Sequence, residues 1–467
     1  MTGPADLPGK IQNIIDEAIR ADMRQMLFYP APGGGFSRHR VGSMGEGVVD
    51  DPIPGPGQGP TGDIPRFIPG DGTTFNPTHD VYEKWDGAIR GVFEPWLSIP
   101  QGSDFDDKLG DVTEVMRRLA TTAQPDDGEN VIGANLELNK VTETAKDTLA
   151  QFSGKVVRTF KENYIDNFED IVTGQYHLAR MLKMTMAAER EVWIRAWDDL
   201  GKLADDCAQA MSETYDFGDV DWETVVKVVG SCLAVAGLYS GAGVVLKGVG
   251  TVVNSVLAKW VPKHQEDSTK RTFSAGTSTD SVFEELKKAL TGHSTDISDQ
   301  EIEIYDKVND VIALTKSYPE SFDLQRPDDM LDTTNPDDVV TDKDVIALES
   351  SELRDVGRRL LPAVAKELNA AGDKLEASTY SMTWMREGPI GMGYYGPWEQ
   401  WYTLAYTLKT YLTDTAQELV QSGEILAICA DSFDQTDASV SEHLKKYTKE
   451  IAPPPPAPGP RHRPDGY

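Results

Sequence analysis

The sequence predicts an all-α protein whose long amphipathic helices form bundles and helical hairpins. Apolar residues recur at intervals of three, four and seven over long stretches, and no run of useful length alternates apolar with polar residues. Glycine and proline gather between the periodic stretches. One stretch, residues 170–211, predicts a helix of about 60 Å at about 1.5 Å per residue, which only a bundle or coiled coil can accommodate.

Composition and charge exclude several functional classes. The 467 residues include 45 Lys+Arg and 76 Asp+Glu, which gives a net charge of −31. Such a surface repels phosphate backbones and anionic headgroups, so we expect no nucleic-acid partner and no attraction to membranes by charge alone. The three cysteines, Cys207, Cys232 and Cys429, lie far apart, which excludes a disulfide framework and a CxxC zinc site.

The N-terminal region divides into a helix and an arm. Residues 1–29 are predicted to form an N-terminal helix, because Ile14, Ile15 and Ile19 fall on one helical face. Residues 30–76 are rich in glycine and proline, which lack side-chain bulk or backbone donors for a packed structure. We therefore predict a disordered Pro/Gly-rich arm at 30–76.

Residues 77–215 are predicted to form a long-helix bundle. Val81, Trp85 and Ile89 begin an apolar repeat at four-residue spacing. A longer seam at steps of three, four and seven follows, comprising Leu178, Leu182, Met186, Trp193, Ala196, Leu200, Leu203 and Cys207.

Residues 222–262 are predicted to form a Gly-rich apolar helical hairpin. The stretch 228–246 carries no charge, and glycines at 237–243 favour a turn between two short apolar helices. Burial inside a bundle is the favoured interpretation, with a membrane-inserting hairpin as the alternative and a constitutive anchor third. The residues expected to form its core or membrane face are Val228, Val235, Leu238, Val244, Val245, Leu246, Val252 and Val253.

The C-terminal half is predicted to contain a connector, a hairpin and a tail. Residues 263–343 predict a polar, acidic connector with short helices. Residues 344–447 predict a helical hairpin whose two seams, within 353–375 and 401–426, match in length and should pack antiparallel. Residues 448–467 predict an exposed Pro-rich tail.

Catalytic and cofactor motifs are not supported by their sequence context. Two GxGxxG matches occur, at 57–62 and 391–396, but neither lies between a strand and a helix N-terminus, so we expect no dinucleotide cofactor. The seven histidines form no HExxH or His–Cys cluster, and no phosphate loop or nucleophile elbow is present. We therefore expect a protein that is not an enzyme, with no catalytic residue, cofactor or metal.

The C-terminal hairpin resembles the WXG-type helical hairpins of type VII (ESX) secretion in actinobacteria. A helix, a turn with glycines and aromatics, and a second long helix precede the segment 430–437, ADSFDQTD. This segment is similar to the family's Ala-x-x-Tyr-x-x-x-Asp ending, which belongs to the export signal. The resemblance implies that Phe433 takes the tyrosine position and Asp437 the acidic position of a candidate export signal.

The expected function is that of a non-enzymatic type VII secretion substrate or secretion-associated structural protein acting through helix–helix interactions. The resemblance implies a secretion-system ATPase or a partner helical protein as partner, with homo-oligomerisation and membrane contact left open. Met1–Lys10 lack the pattern of a Sec signal peptide, so we expect Sec-independent secretion, with a cytoplasmic location as the alternative. The alternative function is an α-helical pore-forming or membrane-active protein that uses the apolar hairpin 228–258.

Overall fold

The computed structural model describes the following residues: 5–26, 28–30, 36–37, 77–126, 131–151, 160–214, 226–229, 270–273, 278–324, 350–386, 388 and 390–433. Over these residues the chain is overwhelmingly helical, which confirms the predicted all-α class. The α-helices are α1 (Leu7–Gln25), α2 (Pro77–Phe93), α3 (Asp106–Leu119), α4 (Leu136–Lys140), α5 (Lys146–Ala150), α6 (Asp166–Glu213), α7 (Thr279–Ser317), α8 (Ser350–Asp355), α9 (Leu361–Ser378) and α10 (Trp398–Phe433).

Extended structure is confined to short antiparallel pairs among the described residues. The pairs are β1 (Tyr29–Pro30) with β2 (Phe36–Ser37), β3 (Gln124–Pro125) with β4 (Val131–Ile132), and β5 (Val226–Val229) with β6 (Lys270–Phe273). None is longer than four residues, so the helices define the architecture.

The predicted apolar helical hairpin at 222–262 differs from the structure where it can be compared. Val228 lies in β5, where it pairs with Arg271. Three of the four residues of β5 are valines, whose branched Cβ favours extended backbone over helix. The other predicted hairpin residues lie outside the described part of the chain: Val235, Leu238, Val244, Val245, Leu246, Val252 and Val253.

The helix α6 is the central element of the fold. Every residue from 171 to 186 is buried, although the sequence predicts a single apolar seam there. A helix buried on all sides must be surrounded by other elements, and α6 packs against α1, α3, α7 and α10. Within the described residues, no helix combines the length and apolar character that crossing a bilayer requires.

The connector predicted at 263–343 contains one long helix instead of short ones. Helix α7 runs without interruption for 39 residues. Ser278 precedes the helix, and its side chain accepts a hydrogen bond from the Ser281 amide and so caps the first turn. One narrow face is buried, while the polar remainder of the helix gives the segment its connector-like composition. The buried apolar residues are Val282, Leu286, Leu290, Ile297, Ile304, Val308, Val311, Ile312 and Leu314.

The C-terminal helices pack antiparallel, as their matching seams predict. Near the open end of this hairpin Arg354 pairs with Asp431, and nearer the turn Lys409 pairs with Glu376 at 2.7 Å. The hairpin is not a separate module, because α9 also packs on α3 and α10 packs on α6 and α7. A single hydrophobic core therefore joins the helices predicted in 77–215 to those predicted in 344–447.

Candidate functional site

The two residues of the candidate export signal lie at and beyond the end of the hairpin. Phe433 is the last residue of α10. Asp437 lies outside the described residues. The structure therefore shows the helix that leads into the candidate signal. The role of Phe433 and Asp437 as an export signal stays a prediction.

Asp431, two residues before Phe433, anchors the end of α10 to the first arm of the hairpin. Asp431 pairs with Arg354 on α8 and, at 3.0 Å, with Arg358 in the π-helical turn Val356–Leu360. The Arg354 and Arg358 guanidinium groups lower the pKa of the Asp431 carboxyl. The carboxylate is thus charged at neutral pH, and the clamp holds the last turn of α10 against α8.

A buried charge cluster joins α6, α7 and the turn of the hairpin. Arg386, in the turn, places Nη2 2.5 Å from Glu301 Oε1 on α7 and Nη1 3.7 Å from Glu189 Oε1 on α6. All three side chains are 0% exposed. Two carboxylates and one guanidinium in such a site would carry a net negative charge if both acids were ionised, which is costly in a dry interior.

Protonation of one carboxyl resolves this imbalance. Burial raises the pKa of Glu189 well above its usual value, and the negative charge of Glu301 raises it further. Burial also raises the pKa of Glu301, but the Arg386 guanidinium and the Met392 amide oppose that increase. We therefore assign the proton to Glu189 and the charge to Glu301, which leaves the cluster electrically neutral at pH 7.

The second GxGxxG match, 391–396, forms a cradle around this internal carboxylate. The Met392 amide donates a 2.6 Å hydrogen bond to Glu301 Oε2. Gly391 and Gly396 have positive φ angles of 64° and 51°, and a Cβ on either would collide with the Glu301 carboxylate. The glycines thus allow the turn to approach an internal carboxylate closely.

The Trp193 indole contacts the cluster through both a hydrogen bond and its ring face. Trp193 donates from Nε1 to Glu189 Oε1 at 2.9 Å, and the Arg386 guanidinium lies over the Trp193 ring at 4.8 Å from its centroid. Trp401 donates from Nε1 to the Leu182 carbonyl at 2.9 Å, which ties α10 to α6. Arg386 Nε itself donates to the Ile390 carbonyl at 2.9 Å and closes the turn.

A second buried titratable group lies further along α6. His177 is 1% exposed, and neither ring nitrogen has a hydrogen-bond partner within the described part of the chain. Burial, and then the nearby Arg180 charge, lowers the pKa of His177 to about 4. The imidazole is therefore neutral at physiological pH.

The chemical capacity of these groups is limited by their burial. The Glu189–Glu301 pair can hold one proton, but a substrate has no access to either fully covered carboxyl group. The described residues include no group of three or more His, Cys, Asp or Glu side chains placed to hold a metal ion. Cys207, the cysteine whose side chain is described, is buried as the sequence predicts.

The sequence Trp85-Asp86-Gly87, a Trp-x-Gly triplet, takes a structural role. Trp85 of the Trp85-Asp86-Gly87 triplet is fully buried in the middle of α2 and donates from Nε1 to Asp22 Oδ2 at 2.8 Å. Gly87 lies inside α2, so the triplet forms no turn between helices. The sequence reading of Trp85 as a core residue is confirmed.

Sequence reasoning missed the buried charge cluster, although a signal was present. Glu189 lies three residues after Met186 and four before Trp193, and Glu301 lies between Ile297 and Ile304 in the same manner. Each acid therefore occupies a core position of an apolar seam. A carboxylate at a core position predicts a buried partner, and Arg386 is that partner.

Comparison of this chain with protein-family models, with curated proteins and with solved structures finds no match.

Proposed function

We propose that this protein is a non-enzymatic substrate or structural component of type VII secretion and that it acts through helix–helix interactions. The observation that supports this proposal is the long antiparallel hairpin whose second helix, α10, ends at Phe433. The resemblance puts the aromatic residue of the export signal at that position. The hairpin thus leads directly into the candidate signal, with Asp431 clamped two residues before Phe433.

The non-enzymatic part of the proposal is supported by the burial of the chain's acidic pair. Glu189 and Glu301 are engaged by Arg386, Trp193 and the Met392 amide, all inside the core. Such a pair holds helices and a turn together and offers no open position for a reacting group. The partners proposed are a secretion-system ATPase that recognises the signal and a helical protein or second copy that pairs with the hairpin.

The proposal is tested by export from a host with an active type VII system. We expect Phe433→Ala and Asp437→Ala to lower the fraction of the protein in the culture medium while its total amount stays constant. Asp434→Ala is the matched control, because Asp434 is a neighbouring acid that occupies no motif position. Undiminished export of both motif variants would overturn the proposal.

No observation among the described residues favours the membrane-active alternative. Of residues 228–258, on which it depends, the structure describes Val228 and Val229 alone, and both lie in β5. That alternative rests on the sequence of residues 228–258.

A further inference from the structure

One side of α10, next to the interhelical turn, carries a continuous line of aromatic rings. The ring centroids of Tyr395 and Trp398 lie 5.8 Å apart, those of Trp398 and Tyr402 5.2 Å, and those of Tyr402 and Tyr406 6.4 Å. Steps of four residues keep Trp398, Tyr402 and Tyr406 on one face of α10, and Tyr395 continues the line in the turn just before the helix. We call this set, Tyr395, Trp398, Tyr402 and Tyr406, the aromatic ladder.

The ladder faces solvent at its outer end. Tyr402 is 39% exposed, Tyr406 41% and the adjoining Tyr394 63%. Exposed tyrosines in such a row suit binding, since each ring offers a rigid apolar face at little entropic cost and a hydroxyl that stays hydrated. Such surfaces are enriched at interfaces compared with the rest of a protein's exterior.

Proline is the residue best suited to a row of aromatic rings. Proline-rich segments adopt the extended polyproline II conformation without binding, so little conformational entropy is lost when their rings dock on aromatic-lined surfaces. The segment 453–460 of the same chain has the sequence PPPPAPGP and begins with four consecutive prolines. At about 3.1 Å per residue it spans about 22 Å, which exceeds the roughly 12 Å between Trp398 and Tyr406 along α10.

We propose that the proline-rich segment 453–460 folds back along α10 and docks on the aromatic ladder of the same molecule. The chain length permits this. From Phe433 back to Tyr406 the helix measures about 40 Å at about 1.5 Å per residue. The chain from Phe433 to Pro453 reaches up to about 66 Å at about 3.3 Å per residue.

The direction of approach also brings opposite charges together. A chain that returns from the end of α10 meets Tyr406 first and then Tyr402, so the residues after the prolines arrive near the interhelical turn. Arg461 and Arg463 follow the prolines directly. Glu399 is exposed at the turn end of α10 and shares the face of Tyr402 and Tyr406 at spacings of three and seven. In a protein of net charge −31, this basic segment is complementary to that acidic surface.

Tethering favours the segment of the same molecule over one in solution. A flexible linker of this length gives the docked segment an effective concentration in the millimolar range. A contact too weak to form between separate molecules at micromolar concentration is therefore largely formed within one molecule.

Site-specific photocrosslinking in the full chain tests the proposal. p-Benzoyl-phenylalanine is placed at Tyr406 and, as the control, at Tyr318, which is exposed to a similar extent at 43% but lies at the end of α7. After irradiation, mass spectrometry maps the crosslinked peptides. We expect the Tyr406 probe to crosslink to residues 453–463 and the Tyr318 probe not to do so.

Two further measurements complete the experiment. An equimolar mixture of normal and 15N-labelled chains distinguishes crosslinks within one molecule, which we expect, from crosslinks between molecules. Replacement of Pro453, Pro454, Pro455 and Pro456 by serine should abolish most of the crosslinking while the circular dichroism spectrum stays unchanged. Crosslinks that join two molecules, equal yields from both probe positions, or yields unaffected by the serine substitutions would each overturn the proposal.

Discussion

Gly357 and Gly423 lie against each other where the two arms of the C-terminal hairpin cross. A Cβ on Gly357 would collide with the Gly423 carbonyl oxygen, and a Cβ on Gly423 would collide with the Gly357 carbonyl oxygen. Backbone meets backbone at this point, and neither atom can be displaced by a change of side-chain rotamer. The crossing therefore fixes how closely the π-helical turn after α8 approaches α10.

We predict that Gly423→Ala destabilises the protein by about 1–3 kcal/mol, the usual cost of overpacking a closely packed contact. Chemical denaturation of the full chain measures this. Gly372→Ala is the matched control on the same hairpin, because its nearest atom, Lys409 Cγ, would lie at an ordinary 3.7 Å. Since alanine favours helix over glycine by about 0.5–1 kcal/mol, the control should be neutral or stabilising. Equal losses of unfolding free energy in both variants would contradict the close backbone contact of Gly357 with Gly423.

The two buried glutamates are predicted to respond differently to the same substitution. Glu189→Gln keeps the shape of the protonated acid, can still accept from Trp193 Nε1 and needs no proton, so stability at pH 7 should be unchanged or increased. Glu301→Gln removes the charge paired with Arg386 and should cost about 3–5 kcal/mol. Urea unfolding of both variants measures the difference. A larger loss for Glu189→Gln would reverse our assignment of the proton.

The raised pKa of Glu189 also predicts a pH dependence. The folded protein keeps a proton that the unfolded chain releases, so this group's contribution is complete below the ordinary pKa of about 4.5. It declines as the pH rises toward the folded pKa. Glu189→Gln should remove this decline, so its unfolding midpoint should fall less between pH 5 and pH 9 than that of the unchanged chain. Parallel profiles would show that Glu189 does not hold the proton.

The lowered pKa of His177 predicts the opposite pH dependence of stability, at lower pH. Its folded pKa of about 4 lies below the unfolded value, so the unfolded chain binds a proton first as the pH falls. Stability from this group is complete above about pH 6.5 and decreases by up to about 3 kcal/mol as the pH falls to about 4. His177→Leu should abolish this loss in melts recorded from pH 7 to pH 4. A leucine variant that remains equally acid-sensitive would place the loss elsewhere.

The sequence predicts those helices whose apolar residues repeat at helical spacing along the chain. The repeats within 353–375 and 401–426 identified both long arms of the hairpin, because each arm buries one stripe of apolar residues. The sequence underestimates the length of helix α7. Its apolar stripe is narrow, and polar residues such as Ser294 and Asp299 make the segment resemble a connector. The complete burial of residues 171–186 depends on helices distant in sequence and leaves no local signal.

The charge cluster could be predicted only in part. The seam positions of Glu189 and Glu301 mark both acids as buried, and the glycines after Arg386 mark a tight turn. That these three segments meet at one point is a property of tertiary packing, because 112 residues (301 minus 189) separate the two acids along the chain. Glycine spacing alone could not show whether the turn cradles an external phosphate or an internal carboxylate.

The most direct measurement of the central claim compares two hosts that differ in the type VII secretion ATPase alone. The full chain is expressed in one host with the active ATPase and in another with an inactive one, and its amount in the culture medium is measured against a cytoplasmic marker. We predict that the protein accumulates in the medium of the first host and stays with the cells in the second. Equal amounts in both media, or retention in both, would contradict a role in type VII secretion.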